Sequence, residues 1–163
     1  KTGPKGRTWL RRLDGLTGRP EWQKSYACQG ASGPPKKIDS GVFATPTPGT
    51  GEVDDLVFYV LARCPGPDNG VLVALEKKTG REVWRYEFPL HSWSSPVLLA
   101  DEDGRAYLLH GGIGGVVRLL EARTGLEVAK VQLEGDIESS PAVFNGRAVL
   151  GTRANRIYGI DIR

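Results

Sequence analysis

The chain has 163 residues, with 22 lysines and arginines against 19 aspartates and glutamates for a formal net charge of +3. Its 39% hydrophobic content, 22 glycines and 11 prolines are those of one turn-rich β domain. No run approaches the roughly 20 apolar residues of a membrane-spanning helix, and the basic residues form no stripe with interleaved aromatics. Neither a transmembrane segment nor a nucleic-acid partner is expected.

The first predicted strands are Thr8–Leu13 and Glu21–Tyr26, joined by Asp14-Gly15-Leu16-Thr17-Gly18, with Trp22 five residues past the threonine. Cys28 follows. Gln29 to Ser40, with Gly33-Pro34-Pro35 and Lys36-Lys37, is the one long low-complexity connection, and loops of that length in compact domains are functional or disordered. A strand then opens at Val42-Phe43-Ala44-Thr45-Pro46, and Asp54-Asp55 marks its turn. Val71–Leu75 runs into a charged turn ending in Thr79-Gly80. The strand that leaves carries Trp84, Tyr86 and Phe88 on one face and Arg85 and Glu87 on the other, a period-2 hairpin. From Ser92 the chain reads as Trp93–Leu99, a turn at Asp101-Glu102-Asp103-Gly104, Ala106–His110, a turn at Gly111-Gly112-Ile113-Gly114, Val116–Leu120, Thr124-Gly125 and Val128–Leu133. The last part opens at Ser139-Ser140-Pro141, turns at Asn145-Gly146, a strong hairpin signal, and ends with the strand Ile157–Ile162.

Two phrases recur along this path. One is an acidic residue followed by Thr-Gly: Asp14 to Gly18, Glu76 to Gly80 and Glu121 to Gly125, with Asp161 beginning a fourth copy. The other is Ala44-Thr45-Pro46, Ser94-Ser95-Pro96 and Ser139-Ser140-Pro141. A period of about 40–60 residues with four short strands per repeat is that of a propeller blade. The fold class expected is therefore all-β, a β-propeller of four-stranded antiparallel blades with helix essentially absent. Residues 7–28 supply the outer strands of one blade, 42–89 and 92–134 are two whole blades, and 137–163 are the inner strands of another. Such a chain begins and ends mid-blade and has no methionine. It is expected to be part of a larger propeller, with the remaining blades supplied by a longer chain or another copy.

The pattern Ala-x-Asp/Glu-x-x-Thr-Gly-x-x-x-Trp resembles the repeat of quinoprotein-type (PQQ-like) β-propellers, a group that includes quinone-dependent dehydrogenases and BamB-type outer-membrane assembly lipoproteins. In such repeats the Trp docks against the neighbouring blade. The resemblance assigns that role to Trp22 and Trp84, whereas Ala129 stands at the third position. It also implies a location outside the cytoplasm, periplasmic, cell-surface or secreted.

Several groups are candidates for chemistry. Phe43, Trp93 and Glu138 each stand three residues before the repeated proline, at the start of an innermost strand. Two aromatics and a carboxylate at a channel mouth compose a ligand or peptide site; the alternative is that the aromatics pack between blades. Cys28 and Cys64 follow strands that end on one rim of adjacent blades, so they are candidates for a disulfide, the alternative being two free thiols. The acidic run at Asp101 offers too few ligands for calcium, and the cysteines with distant His91 and His110 lack zinc spacing. No helix follows the Gly111–Gly115 run to make a phosphate cradle. The chain shows neither the adjacent cysteines nor the calcium constellation of the quinone enzymes, so no cofactor is predicted, PQQ included. These residues favour a non-catalytic scaffold that binds a protein, peptide or small ligand through rim loops and channel mouth. The alternatives are part of a PQQ-dependent dehydrogenase or the sensing domain of a larger receptor.

Overall fold

The computed structural model describes residues 2–3, 6–29 and 40–162. The long connection expected to be functional or disordered lies, from 30 to 39, outside the described residues.

Among the described residues, fourteen strands form four antiparallel sheets. The first holds β1 (Thr2–Gly3), β2 (Arg7–Leu13) and β3 (Pro20–Ala27). The second holds β4 (Thr47–Pro48), β5 (Leu56–Ala62), β6 (Gly70–Glu76) and β7 (Glu82–Phe88). The third holds β8 (Val97–Ala100), β9 (Ala106–Gly111), β10 (Val116–Glu121) and β11 (Glu127–Gln132). The fourth holds β12 (Ala142–Phe144), β13 (Arg147–Thr152) and β14 (Arg156–Asp161). Within each sheet every strand pairs with its sequence neighbour, the meander of a propeller blade. The first blade carries one strand more than the two expected. β1 pairs Thr2 with Thr8 and Gly3 with Arg7, and a two-residue strand leaves no periodic pattern to read. Apart from strands, one 3-10 turn at Gly51–Val53 is present among the described residues.

The inner strands are shorter than their sequence suggests, and the repeated proline explains it. Pro96 has no N–H for a ladder, and the N–H groups before it bond side chains: Ser94 N–H donates to Ser92 Oγ (3.2 Å) and Ser95 N–H to Ser140 Oγ (2.9 Å). Thr45 N–H donates likewise to Ser95 Oγ (2.8 Å), so the second repeated phrase is a chain of hydrogen bonds running from one blade to the next.

The first phrase works at the opposite, outer end. The acidic side chain accepts the threonine hydroxyl in all three copies, Asp14 from Thr17 (2.7 Å), Glu76 from Thr79 and Glu121 from Thr124. The glycine N–H then donates back to the carbonyl of the acidic residue at 2.8–2.9 Å, which requires φ of +69° to +77° at Gly18, Gly80 and Gly125. On the second and third of these turns sits the tryptophan of the preceding blade. Trp22 Nε1 donates to Lys77 O (2.9 Å) and Trp84 Nε1 to Ala122 O (3.0 Å). A Cβ at Gly80 or Gly125 would lie 2.6 Å from the ring, so glycine is required for contact as well as conformation. Tyrosines add a second tie at both seams: Tyr26 Oη donates to Glu82 (2.6 Å) and Tyr86 Oη to Glu127.

The core lies in the seams between blades. Phe58, Leu56, Leu72, Leu108, Leu120 and Ala122 join the second and third blades, with Trp84 and Tyr86 packed at the edge. His110 is buried in this seam, its ring 5.2 Å from Phe88. Burial and the neighbouring Arg118 charge hold its pKa down at about 3. The folded state keeps His110 neutral while the unfolded chain protonates it near 6.5. Its stabilising contribution is therefore full above about pH 6.5 and is lost as the pH falls toward 3. At pH 5 the loss should be about 2 kcal/mol, and denaturation midpoints measured from pH 7 to 4 should fall less steeply in His110→Gln.

β14 is an edge on which no other described strand pairs, and it carries Ile157 at 81% exposure. An apolar strand edge invites pairing with another chain. The isolated chain is expected to self-associate at low micromolar concentration, and sedimentation as a compact monomer would contradict this.

Candidate functional site

The loops that enter the inner strands and those that follow the second strands share one face of the blades. The disulfide ties two of them. Cys28, just past β3, and Cys64, just past β5, are bonded, with Cα atoms 4.2 Å apart and both side chains buried. Beside it stands Arg63, 8% exposed and at φ +57°. A non-glycine residue in that region is uncommon; here its carbonyl accepts Gln29 N–H (2.9 Å) across the same joint.

Arg63 reaches the next blade. Its guanidinium donates to His91 Nε2 (3.0 Å) and lies 5.8 Å from the centroid of the Trp93 ring. An arginine can only donate, so His91 Nε2 is the unprotonated nitrogen. Burial, and then the Arg63 charge, push the His91 pKa down, against the carboxylates of Asp68, Asp136 and Glu138. Trp93 also meets the His91 ring at 5.4 Å and Phe43 edge-on at 6.2 Å. Phe43 is 50% exposed, and Trp93 Nε1 is buried with no hydrogen-bond partner.

Of the three residues predicted to ring the mouth, Phe43 and Trp93 thus meet across the seam between the second and third blades. Glu138 heads the next inner strand, and its carboxylate is held by Arg153, Nε at 2.8 Å. Asp136 joins that end of the face by accepting Gly114 N–H (2.8 Å). Sequence reasoning missed Arg63 and His91. The available signal was their position beside Cys64 and two residues before Trp93. The remaining candidates are structural: Asp101 Oδ1 caps its own turn by accepting Asp103 and Arg105 N–H, and His110 is enclosed in the core. Among the described residues no group of three or more His, Cys, Asp or Glu is placed to hold a metal ion. A cleft of about 500 Å³ between the third and fourth blades shares no lining residue with this face.

Compared with known proteins, the family described as outer membrane protein assembly factor BamB matches residues 6–112 and again 68–163. The chain belongs to that family. The BamB fold of Moraxella catarrhalis, known as a crystal structure, superposes with a TM-score of 0.66 at 22% identity, over 98% of this chain and 41% of that one. Two curated relatives match about half of the chain. The quinone-dependent 1-butanol dehydrogenase of Thauera butanivorans is 38% identical over 94 residues, 50% of this chain and 14% of that protein. The β-alanine-activating enzyme of Mus musculus is 29% identical over 87 residues, 52% of this chain and 8% of that protein. The chain therefore spans only a small part of the curated relatives it matches. No described helix is long and apolar enough to cross a membrane.

Proposed function

We propose that this BamB-family chain is a non-catalytic scaffold outside the cytoplasm, and that it holds an extended segment of a partner protein on the face built by Phe43, Arg63, His91, Trp93 and Glu138. The observation that carries this reading is the Trp93 indole N–H, buried without a partner beside an arginine and an exposed phenylalanine. An unsatisfied buried donor costs about 1–3 kcal/mol, and a peptide carbonyl or carboxylate that reaches it recovers that cost. A flanking aromatic, Phe43, and the Arg63 guanidinium supply the anchors typical of peptide sites. The buried Cys28–Cys64 bond supports an oxidising compartment, and the family description supports an envelope role. The reading calls for no cofactor.

The test is selection of binding peptides from a random display library on the immobilised chain. Selected peptides should shift the Trp93 indole N–H resonance and lose about tenfold in affinity against Trp93→Phe, about 1.4 kcal/mol. Peptides that leave that resonance unmoved and bind Trp93→Phe equally well would overturn the assignment. The stretch 38% identical to a quinone-dependent dehydrogenase favours a second reading, a part of such an enzyme. That reading expects PQQ with calcium to bind the chain and to perturb its tryptophans.

A further inference from the structure

The proposed peptide face contains one contact that depends on a single proton. Arg63 donates to His91 Nε2 at 3.0 Å, so the imidazole must be neutral to accept. The two partners are not equally held. Arg63 is 8% exposed, stands next to the disulfide at Cys64, and has its carbonyl bound by Gln29 N–H. His91 is partly buried in the link between β7 and β8. The backbone beside it is fixed, because Ser92 Oγ donates to Gly111 O (2.9 Å). The imidazole ring is therefore the part that can turn. It meets Trp93 at 5.4 Å, and the Arg63 guanidinium lies 5.8 Å from the same indole, so a turn of the ring changes the surroundings of Trp93.

We propose, resting on the peptide reading above, that this contact is an acid-operated latch: protonation of His91 breaks its bond with Arg63, and the face around Trp93 then releases its peptide segment. A protonated imidazole carries a donor on both nitrogens and has no lone pair for the guanidinium. Two cations 3.0 Å apart repel, and Arg63, the better held of the two, stays in place. The charged groups around His91 come from two elements. Arg63 and Asp68 lie between β5 and β6, and Asp136 and Glu138 lie between β11 and β12, with Arg153 bound to Glu138. Burial and then Arg63 oppose the imidazolium, whereas all three carboxylates favour it, so the freed ring is drawn toward them. Histidine is the side chain whose ordinary charge change falls between about pH 5 and 8, and the chain has 2 of them. His110 is enclosed in the core with its pKa held at about 3, so a histidine titration between pH 7 and 5 belongs to His91. Its pKa lies below the ordinary 6.5. The latch is therefore closed at neutral pH and opens as the pH falls below that value. By reciprocity, a segment that binds the closed face lowers the His91 pKa further.

The first readout needs no peptide. As the pH of the free chain falls from 7 to 5, the His91 ring resonances and the Trp93 indole N–H resonance should shift with one common midpoint, below 6.5. The second readout is affinity. A peptide selected at pH 7 that shifts the Trp93 indole should bind at least about threefold more weakly at pH 5, with a slope of no more than about tenfold per pH unit, as one proton allows. His91→Gln offers Arg63 an acceptor at every pH and should flatten both curves, whatever its affinity at pH 7. His110→Gln should leave both curves as they are. An indole resonance that ignores the His91 titration, an affinity that stays flat from pH 7 to 5, or a pH dependence that survives in His91→Gln would overturn the latch. The peptide reading fails separately: if selected peptides leave the Trp93 indole unmoved, that reading falls and the free-chain titration decides the latch alone.

Discussion

Trp84→Ala is expected to cost about 3–5 kcal/mol of folding free energy, and Trp93→Ala clearly less. Trp84 packs 5.8 Å from Phe58, which is itself fully buried, and closes the edge of the largest core cluster. Its truncation removes that contact, leaves the cradle above Gly125 empty and strips Ala122 O of its indole donor. Trp93 by contrast touches Phe43, His91 and Arg63 on an open face, and its N–H has no bond to lose. Chemical-denaturation midpoints of the two variants decide the matter, and an equal or larger shift for Trp93→Ala would reverse the assignment. Gly125→Ala probes the same contact from the other side. Its methyl would fall 2.6 Å from the Trp84 ring at a residue with φ +77°, so it should destabilise by steric conflict and backbone strain together.

Why these parts of the fold were legible in the sequence follows from what a repeat records. The acid-Thr-Gly turn and the Ser-Ser-Pro phrase are local, and each copy solves the same local problem, so three copies reveal the blade without any long-range information. The register also followed from alternation: Trp84, Tyr86 and Phe88 point into the seam while Val83, Arg85 and Glu87 face out, as the burial along β7 shows. What the Ser-Ser-Pro phrase does between blades was not legible. That Ser95 accepts from Thr45 and donates to Ser140 depends on how two blades are juxtaposed, and no single repeat encodes that. The same limit explains the face around Trp93. Arg63 and His91 belong to different blades, 28 residues apart, and their pairing depends on the seam. Glu138 has the right strand position, yet its orientation is set by Arg153, a residue of the hairpin loop after β13 that no periodicity marks.

Loss of the Cys28–Cys64 bond should be the second large effect, and it should reach both stability and the candidate site. The bond closes a loop with a sequence separation of 36 residues, and in the chain-entropy picture a loop of that length is worth about 4 kcal/mol. It joins the end of the first blade's outer strand to the loop after β5, and so anchors the seam in which Leu10, Tyr26, Leu61, Val73 and Leu75 are buried. The double variant Cys28→Ser/Cys64→Ser avoids a lone reactive thiol. It should show a loss of about 2–5 kcal/mol in urea denaturation. Reduction of the native chain should require prior opening, because Cys28 and Cys64 are 0% and 1% exposed. The bond also neighbours Arg63, whose carbonyl holds Gln29 N–H across the joint and whose guanidinium reaches His91 and Trp93. In the double variant the His91 ring resonances should therefore change and its pKa should rise toward the ordinary histidine value, since both the burial and the Arg63 charge that depress it depend on that loop being held. A double variant with native stability and an unshifted His91 titration would show that the seam, rather than the disulfide, fixes the position of Arg63.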